Sequence, residues 1–199
     1  MNVLNIMDTL KDSDVTSMLT ASVQSYNPAT LEAIKRKNLK PEKFEEILTA
    51  ASEKGMTVYS ELILGLPLET YETFVNGINK VMAPNLNYHF NLYYLYLIPG
   101  SEMSGKEFVK KYQIETRQCD VSFERTKIKD FAVTEYENIV VSHSTMPVED
   151  WRKSFTFGYF AKALYGYRLL FFIFNYIRRE FEIEPAEVIE YIVSICTDN

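Results

Sequence analysis

The strongest constraint on the fold is a strand–helix–strand pattern in the middle of the chain. Residues Thr57 to Leu64 (TVYSELIL) are nearly all apolar, which is typical of a parallel strand covered on both faces. Helical spacing of apolar residues follows from Thr70 to Met82, and Asn87 to Ile98 (NYHFNLYYLYLI) has the composition of a long aromatic strand. Because a helix of this length joins the two strands, we expect them to be parallel, with a right-handed crossover. The pattern predicts an α/β barrel or an open parallel sheet.

One more strand and two helices are predicted before this unit. Thr20 to Ser25 (TASVQS) predicts a short strand that ends in polar groups. Asn27 and Pro28 predict a helix start, because Asn caps a helix and Pro suits its first position. A second helix is expected from Pro41 to Gly55, where the glycine suits a C-terminal stop. The segment from Val3 to Leu19 has only a broken helical period.

The second half of the chain has a different, mostly helical pattern. Ser101 to Tyr112 predicts a short helix, Ile114 to Lys129 an irregular loop, and Tyr136 to Ser142 a strand. Three further helices are expected, which begin at Pro147, near Leu169 and at Pro185. We therefore expect two regions: half of a β/α barrel at 1–105, and a mostly helical region with one or two short strands at 106–199.

Charge and apolar content exclude some partners and locations. The net charge of −6 and the pI near 5.1 argue against a protein that binds nucleic acid or anionic membranes. The most apolar run, Leu169 to Ile177, is too short for a bilayer, which takes about 20 residues, so it predicts no transmembrane segment. A buried helix is favoured for this run over a membrane-surface or partner-docking helix. The N-terminus has no signal-peptide pattern, which predicts a cytoplasmic protein.

The cysteines and histidines are too few for a soft-metal site made by this chain alone. The sequence contains Cys119, Cys196, His89 and His143, and the two cysteines are far apart. A complete iron–sulfur cluster or structural zinc site takes about four such ligands. His143 follows a predicted strand and suits either a general acid or a structural residue, and the structural role is favoured. Cys119 suits a hydrogen-atom donor or a surface thiol, and the surface thiol is favoured.

Candidate binding residues lie where the predicted strands end, because ligands bind at the carboxyl ends of parallel strands. Gln24 and Ser25 place an amide and a hydroxyl there, either to bind a ligand or to cap the strand. Glu61 is a carboxylate inside an apolar strand, so it needs a ligand hydroxyl, an ammonium group, or a neighbouring Lys or Arg. Gly65 permits close approach of a backbone. Arg36 suits a ligand carboxylate or a helix C-terminus, and its position alone favours the helix terminus.

The order of these features resembles the radical S-adenosylmethionine enzymes. The run from Ser22 to Arg36 is similar to their fourth strand and the following helix. Glu61 to Thr70 (ELILGLPLET) is similar to their fifth strand and loop, which usually has Gly where Leu68 stands, and Asn91 to Ser101 is similar to the sixth strand. The likeness covers roughly residues 15–105. It is nearest to the oxygen-independent coproporphyrinogen oxidases and to the cobalamin-associated Fe–S oxidoreductases.

The resemblance implies a cofactor set of S-adenosylmethionine and a [4Fe–4S] cluster, with cobalamin in one branch, and a small-molecule substrate. By its motif positions, Gln24 would contact the methionine moiety or the ribose, Arg36 the methionine carboxylate, and Glu61 the nucleoside side. The other residues expected at the cofactor are Ser22 and Ser25, with Leu62, Gly65 and the backbone of Leu97 and Ile98 around the adenine.

This sequence departs from the family because it lacks the Cys-x3-Cys-x2-Cys loop that holds the cluster. We therefore expect a truncated form or fragment of an oxidoreductase, inactive alone, whose parent cleaves S-adenosylmethionine reductively to an adenosyl radical or transfers a methyl group. A half-barrel has open strand edges, so an alternative is a non-catalytic assembly module that pairs as a homodimer or with a complementing N-terminal half-barrel. A third interpretation is a self-standing α/β domain with vestigial barrel motifs.

Overall fold

A three-stranded parallel sheet forms the first half of the computed structural model, which describes residues 18–82, 88–121 and 134–197. Its strands are β1 (Met18–Thr20), β2 (Thr57–Leu64) and β3 (Tyr88–Tyr94), in the order β1–β2–β3. The predicted parallel pairing of β2 and β3 is confirmed, with Leu62 opposite Leu92.

The first strand differs from its predicted bounds of Thr20 to Ser25. Regular pairing ends at Thr20, although the Ala21 amide still donates to the Tyr59 carbonyl at 2.8 Å. Gln24 then forms an isolated parallel bridge with Leu62. Gln24 has a φ of +59°, outside the extended region, so a continuous strand cannot run through it. The helical pattern noted from Val3 onwards falls on residues 1–17, outside the described part of the chain.

Seven α-helices are present in the described residues. They are α1 (Pro28–Ala33), α2 (Pro41–Glu53), α3 (Tyr71–Val81), α4 (Lys106–Tyr112), α5 (Val148–Ala161), α6 (Phe171–Phe181) and α7 (Pro185–Thr197). The predicted cap of α1 is confirmed, because Asn27 Oδ1 accepts a hydrogen bond of 3.0 Å from the Ala29 amide. At α3, Thr70 and Thr73 bond each other's backbone amides through their side chains, which fixes the helix start.

The main core lies on one side of the sheet, between β2, β3 and the helices. Its fully or nearly fully buried members include Leu62, Leu64, Phe74, Ile78, Phe157, Phe174 and Ile189. Helix α5 approaches β3 closely at Gly158, where an added Cβ would come within 2.4 Å of Leu92 Cδ2. The helices of the C-terminal region therefore complete the same core that the sheet begins.

Strand β2 is covered on one face and only partly covered on the other. Side chains alternate between buried positions, such as Leu62 and Leu64, and half-buried positions, such as Tyr59, Glu61 and Ile63. The expectation that this strand is covered on both faces is wrong for the described residues, since the helices pack on one side. We call the second side, with Tyr59, Glu61 and Ile63, the open face.

A β-hairpin-like ribbon replaces part of the predicted loop after residue 114. β4 (Glu115–Asp120) pairs antiparallel with β5 (Tyr136–Ser142), and residues 122–133 lie outside the described part. The sequence of β4, ETRQCD, is polar and fully exposed, so its strand conformation comes from backbone pairing rather than from burial. β5 also bonds the chain just after β3, with the Val140 amide donating to the Leu95 carbonyl at 2.8 Å.

A second apolar cluster lies between this ribbon and the loops of the sheet. It consists of Leu66, Leu95, Tyr112, Ile114 and Val140. Both clusters combine residues from before and after residue 105, so the two expected regions share their cores. The division at residue 105 stays a prediction.

Helix α6 is not the buried helix that its apolar sequence predicts. Phe174 is 1% exposed, but Phe172 is 78% exposed and Leu169, just before the helix, is 69% exposed. Only one stripe of the helix meets α7 and the short π-helix Lys162–Gly166 that follows α5, and the remaining apolar residues face outward. No helix within the described residues is long and apolar enough to cross a membrane.

Candidate functional site

The open face brings together three of the predicted site residues. The Ser22 hydroxyl donates a hydrogen bond to Glu61 Oε2, across the gap between the β1 end and β2. Arg36 Nη2 donates to the backbone carbonyl of the same serine at 3.2 Å. Ser22, just after β1, thus links Arg36 to Glu61, because its carbonyl accepts from the guanidinium and its hydroxyl donates to the carboxylate. Glu61 is half-buried, whereas its place in an apolar strand predicts full burial.

Residues of β3 extend the open face on the other side of Glu61. Asn91 pairs opposite Glu61 and Tyr93 opposite Ile63. The pKa of Tyr93 is raised by loss of hydration first, and then by the nearby Glu61 carboxylate and by Tyr59. This face therefore presents negative charge and several hydrogen-bonding groups to a ligand.

Gln24 lies in a tight turn directly beside these groups. The Ser25 amide donates to the Val23 carbonyl at 2.7 Å, which closes a three-residue turn around Gln24. The turn is held to β2 on both sides, because the Gln24 amide donates to the Glu61 carbonyl at 2.7 Å and the Ile63 amide donates to the Gln24 carbonyl at 3.0 Å. The backbone N–H and C=O groups of Gln24 are thus hydrogen-bonded to β2, and its half-buried side chain is available for a ligand.

The loop after β2 contains Gly65 and the position where Leu68 replaces the family's usual glycine. Gly65 has a φ of +98°, and an added Cβ would lie 3.2 Å from the Val140 carbonyl oxygen, so the close approach here is made by β5. Leu68 has a φ of +65°, a conformation that favours glycine. Asn27 stabilises it by donating from Nδ2 to the Leu68 carbonyl at 2.9 Å.

The expected adenine-lining residues are divided between two places. Leu62 is 2% exposed and faces the main core, so only its backbone is accessible from the open face. Leu97 and Ile98 line a cavity of about 510 Å³. The rest of its lining is Leu92, Tyr93, Tyr94, Tyr96 and Pro99, with Tyr136, Glu137 and Asn138 of β5. Tyr93 joins this cavity to the open face.

Glu69 is a buried carboxyl that the sequence analysis did not select. It is 2% exposed, and Oε1 accepts a hydrogen bond of 2.9 Å from the Ser25 hydroxyl, which is itself 1% exposed. Burial raises the pKa of Glu69 to about 7, and the bond from Ser25 opposes this rise. An acid before Thr70 is easily interpreted as an ordinary helix-start residue. The signal that it also faces Ser25 is tertiary and is absent from local sequence.

His143 is buried beside the same loop. It is 4% exposed, and burial lowers its pKa to about 4, so it is neutral at physiological pH. Thr145 connects it to the loop, because its hydroxyl donates to the Glu69 carbonyl at 2.8 Å and lies 3.4 Å from His143 Nδ1. Nε2 has no hydrogen-bond partner among the described residues. These features describe a neutral, buried imidazole.

The described residues contain no group of three His, Cys, Asp or Glu side chains that could hold a metal ion. Cys119 and Cys196 are both exposed, and neither is in a disulfide. The favoured interpretation of Cys119 as a surface thiol agrees with its exposure.

Two curated relatives are similar in sequence to this chain. The cobalamin-dependent radical SAM methyltransferase TokK of Streptomyces tokunonensis is 30% identical over 155 residues, which are 78% of this chain and 23% of that protein. The chain belongs to the radical S-adenosylmethionine superfamily. The 2-(S-pantetheinyl)-carbapenam-3-carboxylate methyltransferase of Streptantibioticus cattleyicolor is 26% identical over 181 residues, which are 91% of this chain and 26% of that relative.

The fold agrees with membership of this superfamily. The radical S-adenosylmethionine methyltransferase TsrM from Kitasatospora setae, solved with cobalamin and a [4Fe–4S] cluster, superimposes with a TM-score of 0.50 at 17% identity, over 77% of this chain and 33% of that one. The predicted α/β fold, with the parallel strands of a partial radical S-adenosylmethionine barrel followed by helices, is confirmed. This chain spans about a quarter of the length of its curated relatives. No family model matches it.

Proposed function

We propose that this chain provides one half of the S-adenosylmethionine site of a cobalamin-dependent methyltransferase. The observation that supports this most directly is the contact of Arg36, Ser22 and Glu61 at the carboxyl end of the sheet. S-adenosylmethionine has a carboxylate that suits Arg36, and ribose hydroxyls and an ammonium group that suit Glu61. Gln24, between these charges, would hydrogen-bond the methionine moiety or the ribose.

The adenine end of the ligand fits the cavity lined by Leu97 and Ile98. This cavity is about 510 Å³ and is rich in tyrosine, which stacks on planar rings. Tyr93 lies at its boundary with the open face, 45% exposed and near Glu61. A ligand with a charged end at Arg36 and a planar end at Ile98 would therefore cross the sheet end beside Glu61.

The cofactors differ in how well the residues of this chain fit them. S-adenosylmethionine fits the charges and hydroxyls described above, and it supplies a transferable methyl or adenosyl group. An iron–sulfur cluster does not fit, because the two cysteines are far apart in sequence and no cluster of metal ligands occurs in the described residues. We assign no cluster ligand and no chemical step of a cluster to this chain, so we propose that it is inactive alone. Cobalamin enters the proposal only through TokK and TsrM.

Calorimetric titration of S-adenosylmethionine tests the proposal. The chain is mixed with a polypeptide that contains the cluster-binding half-barrel of a relative such as TokK, and binding is measured before and after an Arg36→Ala change. Loss of a hydrogen bond to a charged group costs about 1.5–3 kcal/mol, so the affinity should fall by about tenfold or more. Arg179→Ala, on the exposed surface of α6, is the matched control and should bind like the wild-type chain. Failure of the wild-type mixture to bind would refute the proposed function.

A second candidate function is assembly with another copy of this chain through α6. Phe172, Ile173 and Tyr176 form an outward apolar stripe at helical spacing, and Leu169, just before the helix, extends it; all four are between 52% and 78% exposed. If two copies pack α6 antiparallel and centred near residue 174, Phe172 meets Tyr176 of the other copy.

Light scattering over a range of protein concentrations tests this second function. The wild-type chain should become dimeric as concentration rises, and Phe172→Glu should remain monomeric because a charge in the contact is desolvated. Leu39→Glu changes an equally apolar exposed residue between α1 and α2, and should dimerise like the wild type. A wild-type chain that is monomeric at every concentration would exclude assembly through α6.

We also propose a cytoplasmic location. Both cysteines are outside disulfides, as is usual where thiols are kept reduced. The small-molecule substrate would be bound on the open face, next to S-adenosylmethionine.

A further inference from the structure

Two backbone positions near the proposed binding site are strained. Gln24 and Leu68 both have positive φ, +59° and +65°, although neither is glycine. Such a conformation costs about 1–2 kcal/mol per residue, so it persists only where surrounding contacts enforce it. The contacts that enforce it here are therefore informative about how the site is shaped.

Ser25 and Asn27 connect the two strained positions. The Ser25 hydroxyl accepts a hydrogen bond of 2.9 Å from the Asn27 amide, and Asn27 Nδ2 donates to the Leu68 carbonyl. The Ser25 carbonyl in turn accepts from Asn38 Nδ2 at 2.8 Å. The turn around Gln24 is thereby joined to the start of α1 and to the loop after β2.

Glu69 completes this network from the loop side. Its Oε1 accepts a hydrogen bond of 2.9 Å from the Ser25 hydroxyl, and its backbone carbonyl accepts one from the Thr145 hydroxyl. Burying a carboxyl is costly, and an apolar residue in this place would avoid that cost. The hydrogen bond with Ser25 explains why a carboxyl is buried here. The Ser25 hydroxyl has a single proton, and the acceptor oxygen of Glu69 fixes the direction in which the hydroxyl donates it.

We propose that Glu69 is a positioning residue: through Ser25 it holds the Gln24 turn in its left-handed conformation and so presents the Gln24 carboxamide to the ligand. This inference rests on the proposed function for the identity of that ligand, S-adenosylmethionine. Glu69 itself is 2% exposed and does not contact the ligand. Its proposed effect reaches the site through the backbone at Gln24 and Ser25.

The test compares Glu69→Leu, which removes the acceptor, with Glu69→Gln, which keeps an acceptor oxygen of similar shape. Two quantities are measured: hydrogen exchange of the Ser25 amide, which closes the turn, and the affinity for S-adenosylmethionine in the complemented mixture described above. Ile189→Ala, a fully buried change in α7, is the control for general loss of stability. Ser25→Ala removes the donor with little change in volume, and serves if the leucine variant does not fold.

Glu69→Leu and Ser25→Ala should each speed exchange at the Ser25 amide more than tenfold and weaken binding about tenfold. Glu69→Gln should restore both, and Ile189→Ala should lower the melting temperature without changing affinity. If Glu69→Leu leaves the exchange rate or the affinity at the wild-type value, the positioning role is overturned. An absence of binding by the wild-type mixture instead overturns the proposed function, and the positioning role with it.

Discussion

The two faces of β2 have opposite properties, although they belong to the same eight-residue strand. Leu62 and Leu64 face the helices and are almost completely buried, whereas Glu61 on the open face is half-buried and bonded to Ser22. Successive side chains of a strand point to opposite sides, so one residue step changes the environment completely. The difference teaches that the stabilising core and the proposed binding face occupy alternate residues of one strand, so we expect each to be changeable without the other.

The largest effect on stability is expected when one residue from each face of β2 is changed to alanine separately. Leu64→Ala removes a fully buried side chain and should reduce the free energy of unfolding by about 2–5 kcal/mol. Glu61→Ala loses a half-buried side chain and its bond to Ser22, and should cost about 1 kcal/mol or less while weakening S-adenosylmethionine binding. Urea unfolding measures the first quantity and calorimetry the second. Equal losses of stability in the two variants would show that the faces are not separate.

A smaller effect concerns the two buried titratable groups beside the site, Glu69 and His143. The pKa of Glu69 is raised by burial to about 7, so its contribution to stability is full below about pH 4.5 and is lost as pH rises to about 7. The pKa of His143 is lowered by burial to about 4, so its contribution is lost as pH falls from about 6.5 to about 4. The two slopes oppose each other and largely cancel between pH 4.5 and 6.5.

Substitution of Glu69 should remove its contribution to the pH dependence of stability and so reveal the opposing contribution of His143. The stability of Glu69→Gln relative to the wild-type chain should rise by about 1 kcal/mol per pH unit between pH 5 and 7, because only the wild type then loses the Glu69 contribution. Urea unfolding at a series of pH values measures the difference, and other carboxylates drop out of it. A difference that does not vary with pH would mean that Glu69 titrates in the folded chain as it does when unfolded.

The smallest effect on stability is expected at Leu68 in the loop after β2, where a strained backbone and a half-buried side chain occur in one residue. Glycine would relieve a positive φ worth about 1 kcal/mol, but would lose the packing of a half-buried leucine side chain on the second apolar cluster. Leu68→Gly should therefore stay within about 0.5 kcal/mol of the wild type, since the two terms offset each other. Leu68→Ala loses packing without relief and should be about 1 kcal/mol less stable. The melting temperatures of the two variants measure this difference. An alanine variant as stable as the glycine variant would show that the positive φ at position 68 is not strained.

Much of the fold was predictable from local patterns. The bounds of β2 and β5, the capped start of α1, and the starts of α3 after Thr70 and of α7 at Pro185 agree with the sequence analysis. Alternation, helical spacing and capping act over a few residues, so they are visible in the chain itself. The polar β4 was missed for the converse reason, because its strand exists only through pairing with β5.

The candidate site was predictable in part. Glu61, Arg36 and Ser22 were selected by their resemblance to a family, and the structure brings them together. Glu69 was not selected, because its partner Ser25 is 44 residues away and its burial depends on how the two loops meet. The outward stripe of α6 belongs to the less favoured alternative for its sequence, since an apolar helix does not reveal which neighbours will cover it.

The sequence by itself determined the order of most strands and helices, the parallel arrangement of β2 and β3, and the chemical types available at the strand ends. Those properties follow from backbone geometry and side-chain period, which need only neighbouring residues. Tertiary structure alone decided that β2 has one open face, that Gln24 and Leu68 adopt left-handed conformations, and that Glu69 is buried against Ser25. Each of these depends on contacts between segments distant in sequence, whose free energies decide the local conformation only after the chain has packed.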